Sequence, residues 1–414
     1  MQKILLLIAS LFYFNFILAE NEIKSWQGIH ETPLSRLEQQ FADPPVEFAN
    51  HVIWGWEGKM DKKTICNDLD SIKKKGFRAI IFEAGYKLPF KYLSEEWFKA
   101  IRTGVLEAKK RGMKVWIIDE GKYPSGFAGG KFSQERPDLR MQALVIGDTI
   151  QIKRGEVMTN HKIAPEIISA VAVSTSGAPN RTVAINNGEI SFNAGLDDWK
   201  ILLVKSDFRT AVTRAVNNPN GGKDATNSLC DYLNPVAVQQ FIDWTHEQYK
   251  KYLGKELGTT VLGFRGDEPD YAHLPWTPSI VQTFKDTKGY DPTPYLASFF
   301  TTSPTIQEQR VKADYWDVWS SLFATHFFKL QADWCAANGV AHITHLNKEH
   351  EMPACVKAEG DYFRNLSKVQ IPGVDAIWNQ IWPGTLNDFP KLASSVAHVY
   401  GKPRAFSESF AAYH

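Results

Sequence analysis

The sequence contains few cysteines, almost no net charge and no long apolar run beyond its first residues. Its 414 residues include only four cysteines, Cys66, Cys230, Cys335 and Cys355. They are too dispersed for a disulfide framework or a Cys-x-x-Cys metal motif, so we expect small buried residues. The 47 Lys and Arg balance 46 Asp and Glu, which argues against nucleic acid as a partner.

Residues 1–19 have the pattern of an export signal. Lys3 precedes the apolar run "ILLLIASLFYFNFILA", and Ala19 offers a small residue for cleavage. The competing interpretation is a membrane anchor, but the run is shorter than about 20 clean apolar residues and contains Ser10 and Asn15. We therefore expect a secreted or periplasmic protein with no membrane span once the signal is removed.

Residues 20–140 alternate between strand and helix patterns. The apolar runs "HVIWGWEG", "FRAIIFEAG" and "MKVWIIDEG" are separated by segments with apolar residues at helical spacing, at about 62–75 and 94–111. Continuously apolar strands that alternate with helices are typical of a parallel sheet covered by helices. This segment is predicted to be the first part of a barrel.

The alternation stops over residues 141–220. Short runs such as "ALVIGDTIQIKRGEV" and "WKILLVKS" are separated there by Gly, Asn, Pro and Thr clusters, which indicates an inserted β-rich domain. Residues 221–414 return to the first pattern, with further strands predicted at "VLGF", "VAHITHL", "GVDAIWNQ" and "PRAFSESF".

These seven strands predict an α/β protein of the (β/α)8 TIM-barrel type, in which catalytic groups lie at the carboxyl ends of the strands. The eighth strand is not found: either the sequence pattern hides it, or the chain is a fragment that lacks the last barrel strand and later domains, which is the interpretation we favour. Polar residues end nearly every predicted strand, namely Glu57, Glu83, Asp119 and Glu120, Asp267 and Glu268, His345 and Asn347, Asn379, and Glu408. Singly, each is explained as a solvated strand end. Together on one rim they indicate a functional site.

Several stretches, in this order, carry a family resemblance: "PPVEFANHVIWGWEGKMDKKTICNDLDSIKKKGFRAIIFE", "IIDEGKYPSGFAGG", "GFRGDEPDY", "EGDYFRN", "IPGVDAIWNQ" and "SSVAHVYGKPRAFSESF". The chain thereby resembles glycoside hydrolase family 106, the α-L-rhamnosidase-like barrels, over about residues 44 to 413. The resemblance implies an inverting glycosidase with calcium in its active site. Members are usually much longer, which agrees with the interpretation as a fragment.

Glycoside hydrolysis requires one carboxylic acid to protonate the departing oxygen and one carboxylate to activate water or to attack the sugar. Glu268 and Glu408 are our candidates for this catalytic pair, because they end the fourth and seventh strands. Barrels similar to clan A hold their catalytic pair at these two strands, although their fourth-strand motif is usually Asn-Glu. This chain has Asp267 before Glu268, so the assignment of roles stays open. The neighbouring Asp267 charge suits Glu268 to a general acid, and the alternative for Asp267 is a turn or cap.

Other residues at the predicted rim are candidates for substrate binding. "WGWEG" places Trp54 and Trp56 on one strand face, so Trp56 is either the floor of a sugar site or barrel packing. "DEGKYPSGFAGG" predicts a tight loop at the barrel mouth that is either a sugar contact or a plain connector. His342 and His345 point to opposite strand faces and are not expected to share a metal ion. The substrate-binding candidates are Trp56, Glu83, Glu120, Tyr123, Asp267, His345 and Asn379.

The calcium implied by the resemblance needs six to eight oxygen ligands. Asp119, Glu359 and Asp361 are the candidate ligands, without EF-hand spacing. We expect hydrolysis of a terminal deoxysugar, with α-L-rhamnose as the expected sugar, from an oligo- or polysaccharide. The alternatives are a retaining β-glycosidase similar to clan A and a non-catalytic carbohydrate-binding barrel.

Overall fold

The computed structural model describes residues 33–44, 46, 50–214, 225–271, 273–377, 380–381, 384 and 387–409. The predicted export signal and Asn379 lie outside the described residues. The strands are β1 (His51–Trp56), β2 (Ala79–Ala84), β3 (Lys114–Ile118), β4 (Gln142–Ile152), β5 (Val157–Lys162), β6 (Ile167–Ser174), β7 (Arg181–Thr182), β8 (Ile185–Asn186), β9 (Glu189–Asn193), β10 (Trp199–Phe208), β11 (Val261–Asp267), β12 (Pro275–Trp276), β13 (Ala341–His345), β14 (Ile371–Ala376) and β15 (Phe406–Ser409).

The α-helices are α1 (Leu34–Ala42), α2 (Lys62–Lys74), α3 (Glu95–Lys110), α4 (Lys131–Glu135), α5 (Pro235–Trp244), α6 (His246–Leu253), α7 (Ile280–Lys288), α8 (Ile306–Phe323), α9 (Lys329–Ala337), α10 (Met352–Glu359), α11 (Tyr362–Leu366) and α12 (Leu392–Val399). A π-helical turn, Ala324–Phe328, joins α8 to α9. Among the described residues, no helix is long and apolar enough to cross a membrane.

The seven predicted strands form one parallel sheet in the order β1-β2-β3-β11-β13-β14-β15. Helices that follow the strands cover its outer face, as the alternating pattern predicted. In the part of the chain that the structure describes, β1 and β15 are not neighbours in the sheet. The architecture is therefore a mixed α/β fold with a parallel half-barrel sheet, and the described strands contain the seven predicted barrel strands without closing into a complete barrel.

The two faces of this sheet bury different apolar sets. The outer face packs Trp54, Trp56 and Phe82 against the helices in one large cluster. A smaller cluster that includes Trp116 and Ile343 fills the inner face. Gly263 has to be glycine, because a Cβ there would lie 1.9 Å from the Ala341 carbonyl oxygen. The inner face is thus filled with side chains, which leaves the strand ends as the place for functional residues.

Antiparallel strands occupy the predicted insertion. One sheet has the order β12-β4-β10-β6-β7 and a second has the order β5-β9-β8. β12 follows β11 in the chain yet pairs with β4, so the antiparallel part is joined to the main body by hydrogen bonds. The domain boundaries at 140, 220 and the chain ends stay predictions.

Local signals explain where the helices begin. The Asp61 side chain accepts a hydrogen bond from the Thr64 amide at 2.8 Å and caps α2, and Ser94 caps α3 in the same way. Thr305 and Glu308 form a capping box at α8. Such caps satisfy amides that have no partner within the helix. The four cysteines are free thiols, and three of them are buried, as expected from their dispersion.

Candidate active site

The parallel register brings the predicted polar residues to one edge of the sheet. Asp267 is paired with His345 across β11 and β13, and Asp375 is paired with Glu408 across β14 and β15. Glu268 follows directly after β11. The carboxyl ends of four neighbouring strand segments therefore carry one cluster of ionisable groups.

Arg265 supplies a buried positive charge below this cluster. Its guanidinium pairs with the Glu408 carboxylate and lies 3.9 Å from Asp267 Oδ1, while the arginine side chain is 3% exposed. Burial raises the pKa of Glu408, but the charge of Arg265, helped by His345, outweighs burial and holds that pKa below its usual range. Glu408 is therefore an ionised carboxylate at neutral pH.

His345 lies at the centre of the carboxylates. Its Nε2 is 3.5 Å from Asp267 Oδ1, 3.7 Å from Glu268 Oε1 and 3.8 Å from Glu408 Oε2. Burial disfavours the charged ring, but the adjacent Glu268 carboxylate and further acidic groups raise the pKa of His345 to about 10. The imidazolium and Arg265 together offset part of the negative charge of the cluster.

The backbone of Glu268 adopts an uncommon conformation. Its φ is +40°, in the left-handed region where residues other than glycine are rare. Strain of this kind is held in place by surrounding structure and concentrates at functional sites. The side chain stays 18% exposed, so it is accessible from the mouth of the site.

Asp267 is tied to the third strand through Ser125. The Ser125 hydroxyl donates to Asp119 Oδ1 at 2.6 Å and accepts from the Asp267 amide at 2.7 Å. Burial raises the pKa of Asp267 to about 6, against the opposing charges of Arg265 and His345. Burial also raises the pKa of Asp119 well above its usual range. This link fixes the end of β11 beneath Glu268.

Two further carboxylates belong to the cluster and were missed by the sequence interpretation. Glu349 Oε1 accepts from the Leu346 amide at 2.8 Å and from the Asp375 amide at 3.4 Å. Glu349 Oε2 and Asp375 Oδ1 are buried and have no hydrogen-bond partner among the described residues. Burial raises the pKa of Glu349 to about 8 and that of Asp375 to about 7. Asp375 could have been identified from the sequence, because it is an acid inside the apolar strand "IPGVDA". Glu349 lies in a loop without a recognisable pattern.

Glu120 does not contact the substrate space, contrary to the sequence prediction. It is 1% exposed, and its two oxygens accept hydrogen bonds of 2.5 to 2.9 Å from four backbone amides, those of Gly121, Phe127, Ala128 and Gly129. The prediction failed because the loop folds back over its own strand end. Glu120 is an anchor for that loop.

Trp56 is a buried core residue and does not form the floor of a sugar site. The ring is 0% exposed and packs edge-on against Phe82 and Trp97 at centroid distances of 5.0 and 5.7 Å. It lies under the helices because the outward side of β1 carries both tryptophans of "WGW". The barrel-packing alternative is therefore the correct one.

Glu83 and Tyr123 lie at the rim. Glu83 Oε2 is 3.0 Å from Lys122 Nζ, and its charge is among those that raise the pKa of Arg265. Asn347 donates to Tyr123 Oη at 3.1 Å and to Asp270 Oδ2 at 3.2 Å. The loop after β3 is thus joined to the loops after β11 and β13.

The predicted metal ligands are not brought together. Asp361 is an exposed cap that accepts from the Arg364 amide, and Glu359 Oε1 accepts from the Asn347 amide at 2.6 Å. Within the described residues, the acids and histidines whose ligand atoms lie within 4.8 Å of one another are Asp267, His345 and Glu408, and Glu268, His345 and Asp375. Asp119, Glu359 and Asp361 are not among these groups, and their role as calcium ligands stays a prediction.

A pair of glutamates at the carboxyl ends of a parallel, barrel-type sheet is the arrangement used by glycoside hydrolases. Residues 156–414 match the model of glycoside hydrolase family 106, described as alpha-L-rhamnosidase. The chain belongs to this family.

Two relatives extend the comparison. The chain is 24% identical over 435 residues to a putative beta-glucuronidase of Formosa agariphila, a match that covers 91% of this chain and 35% of that protein. The fold is shared with a rhamnosidase from Novosphingobium sp. PP1Y, with a TM-score of 0.65 and 15% identity, over 90% of this chain and 53% of that one. The chain thus spans about a third to a half of the length of these relatives.

Proposed function

We propose that the chain contains the catalytic site of a glycoside hydrolase that removes a terminal deoxysugar, α-L-rhamnose, from an oligo- or polysaccharide outside the cytoplasm. The observation that carries this proposal is that Glu268 and Glu408 both lie close to His345 Nε2, at 3.7 and 3.8 Å. Membership in the rhamnosidase family supports the sugar.

Glu408 is proposed as the carboxylate that acts on water or on the anomeric carbon. This role requires an ionised group at working pH, and the buried guanidinium of Arg265 favours that state. The ion pair also holds the Glu408 carboxylate in one orientation, and this lowers the entropy cost of reaching the transition state.

Glu268 is proposed as the general acid. Its side chain is 18% exposed at the mouth of the site, where the oxygen of a departing group can approach it. Proton donation to the departing oxygen contributes about 10²- to 10⁴-fold to the rate. His345 and Asp375 flank Glu268 and would hold its carboxyl group in place.

The stereochemical outcome is proposed to be inversion, as the family resemblance implies. The Glu268 and Glu408 oxygens nearest His345 lie 3.7 and 3.8 Å from the same nitrogen, so they are at most about 7.5 Å apart, a bound that both outcomes satisfy. Inversion uses a separation of about 6.5–9.5 Å and retention about 5–5.5 Å. Proton NMR of the first anomer released decides between them, and a retained product would favour the alternative of a clan A-like glycosidase.

A calcium ion is proposed at Glu349 and Asp375. Each of these residues has one buried oxygen without a hydrogen-bond partner in the part of the chain that the structure describes. Such oxygens fit a hard cation that prefers oxygen ligands. A bound ion would supply positive charge for orienting sugar hydroxyl groups. Dialysis against a chelator should lower the unfolding temperature, and added calcium should restore it in the parent chain but not in Asp375→Asn.

The decisive experiment compares two leaving groups. Glu268→Gln should lose about 10²- to 10⁴-fold in kcat/KM on a rhamnoside with an unactivated alcohol, but much less on 2,4-dinitrophenyl α-L-rhamnoside, whose departure needs no proton. Glu408→Gln should lose activity on both substrates. Glu135→Gln, at an exposed pair with Lys131 on α4, is the matched control.

The outcomes separate the candidate functions. Equal loss on both substrates in Glu268→Gln would contradict its role as acid. Binding of rhamnosides without hydrolysis by the folded parent chain would favour the carbohydrate-binding alternative. A β-D-glucuronide belongs on the panel, because a relative over 91% of the chain is named a putative beta-glucuronidase. Preferential release of glucuronate would replace rhamnose as the proposed sugar.

A further inference from the structure

A large cavity lies beside the catalytic cluster, between the loop after β11 and helices α8 and α10. Its volume is about 830 Å³, within the range of pockets that enclose small ligands. The lining includes aromatic rings and lysines among its polar and aliphatic side chains. The proposed chemistry at Glu268 and Glu408 does not use these groups.

Trp316 forms a fixed aromatic surface in this cavity. The ring is half-buried and is packed edge-on by Phe299 at a centroid distance of 6.3 Å and by Trp319 at 5.9 Å. An indole that is held from two sides offers a ring face for the C–H face of a sugar at little entropic cost. The cavity therefore has a stacking platform typical of saccharide recognition.

Three lysines line the same cavity, Lys312, Lys348 and Lys357. The Lys312 Nζ lies 5.6 Å from the centroid of the Trp316 ring. Among the described residues, none of the three ammonium groups lies within 4.0 Å of a carboxylate oxygen, whereas Lys288 and Lys329 on neighbouring helices form such pairs. The lysines outnumber the acid in the lining, Asp270, so the cavity favours a negative charge beside the stacked ring.

The cavity is connected to the proposed acid through the loop after β11. Asp270 lines the cavity two residues after Glu268, and its carboxylate accepts from Asn347. Lys348 follows Asn347 directly, with a φ of +63°. A general acid protonates the oxygen of the leaving group, so the sugar beyond the bond to be broken has to lie on the side of Glu268.

We propose that this cavity is the subsite for the leaving-group part of the saccharide and that it accepts an anionic sugar, carboxylated or sulfated. The sugar ring stacks on Trp316, and its anionic group faces Lys312 and Lys357. The assignment to the leaving-group side rests on the proposed function, whereas anion binding in the cavity is a property of the lining alone.

Calorimetric binding to the parent chain tests the inference without any hydrolysis. The probes are digalacturonate, its methyl ester, galactose 6-sulfate and galactose, none of which contains rhamnose. The double variant Lys312→Gln with Lys357→Gln should lose affinity for the anionic probe by about tenfold, while the neutral ester binds both proteins alike and reports on folding. Lys200→Gln on the exposed side of β10 is the matched control and should leave binding unchanged.

The probe that shows this charge-dependent affinity identifies the anion as carboxylate or sulfate. Equal affinity of the parent chain for charged and neutral probes, or the same loss in Lys200→Gln, would overturn the proposal. If the anion binds through the two lysines but no rhamnoside is cleaved, the subsite stands and the proposed function fails. If rhamnosides are cleaved and the lysines have no effect on anion binding, the function stands and the subsite fails.

Discussion

Replacing Arg265 by methionine tests whether a buried cation sets the charge of the proposed base. Methionine has a similar length and no charge, so it fills the space of the arginine stem. It leaves Glu408 without its ion-pair partner and removes the cation 3.9 Å from Asp267 Oδ1. The remaining positive group of the cluster is His345.

The expected size of the effect follows from these distances. Two unit charges about 4 Å apart interact by about 4 kcal/mol at an effective dielectric constant of about 20. Part of this is recovered because the guanidinium no longer has to be buried and His345 loses a repulsive neighbour. Breaking a buried pair at one partner costs about 3–5 kcal/mol, and we expect a loss of unfolding free energy in that range.

The pKa of Glu408 should rise once the arginine is gone, because its depression depends on that charge. A base works only when ionised, so the acidic limb of the profile of kcat/KM against pH should move upward by about one to two pH units. The variant should lose far more activity at pH 5 than at pH 8.

Urea unfolding and pH–rate profiles of Arg265→Met, Arg265→Lys and Arg364→Met provide the test. Arg364 pairs with Asp317 at the protein surface, where such a pair contributes at most about 1 kcal/mol. Arg265→Lys should retain part of both effects. An acidic limb that stays in place in a folded Arg265→Met protein would refute the role of Arg265 in holding Glu408 ionised.

Three more predictions concern stability. Glu120→Ala leaves four loop amides without an acceptor and should lower the free energy of unfolding by about 4 kcal/mol. The control Glu135→Ala, at an exposed site, should change it little. An unchanged stability of Glu120→Ala together with a raised KM would contradict the anchor role. Burial raises the pKa of Asp231 to about 7, so the folded state holds this proton more tightly than the unfolded chain does. The free energy of unfolding should therefore fall between pH 4 and 7, by up to about 1.4 kcal/mol per pH unit. Asp231→Asn should flatten this slope in thermal scans. Gly263→Ala should weaken the sheet at Ala341, as measured by chemical denaturation, and unaltered unfolding would argue against the tight approach of the two strands.

Strand placement was predictable because each strand is an apolar run with a helix after it. The runs at 51–58, 77–85 and 261–267 became β1, β2 and β11 within a few residues. A parallel sheet buries both faces, so its strands are recognisable without knowledge of their neighbours. Barrel-type topology also predicts that residues at strand ends meet, which is how Glu268, His345 and Glu408 came to be grouped.

The direction in which each side chain faces was much harder to predict. Trp56 and Glu120 both lie at predicted rim positions, yet one packs under helices and the other binds its own loop. Glu349 and Asp375 were overlooked because their importance comes from burial beside His345, which a local pattern does not encode.

By itself, the sequence determined the order of strands and helices and the rim where polar residues collect, and it led to the two glutamates that we propose for acid–base chemistry. These features follow from local periodicity and from the geometry of parallel strands. Only the tertiary structure decided which carboxylates share charge with Arg265 and His345, which ones anchor loops, and that lysines and Trp316 line one cavity beside Glu268. Those relations depend on distances between residues far apart in the chain, and electrostatic and packing energies are set by such distances.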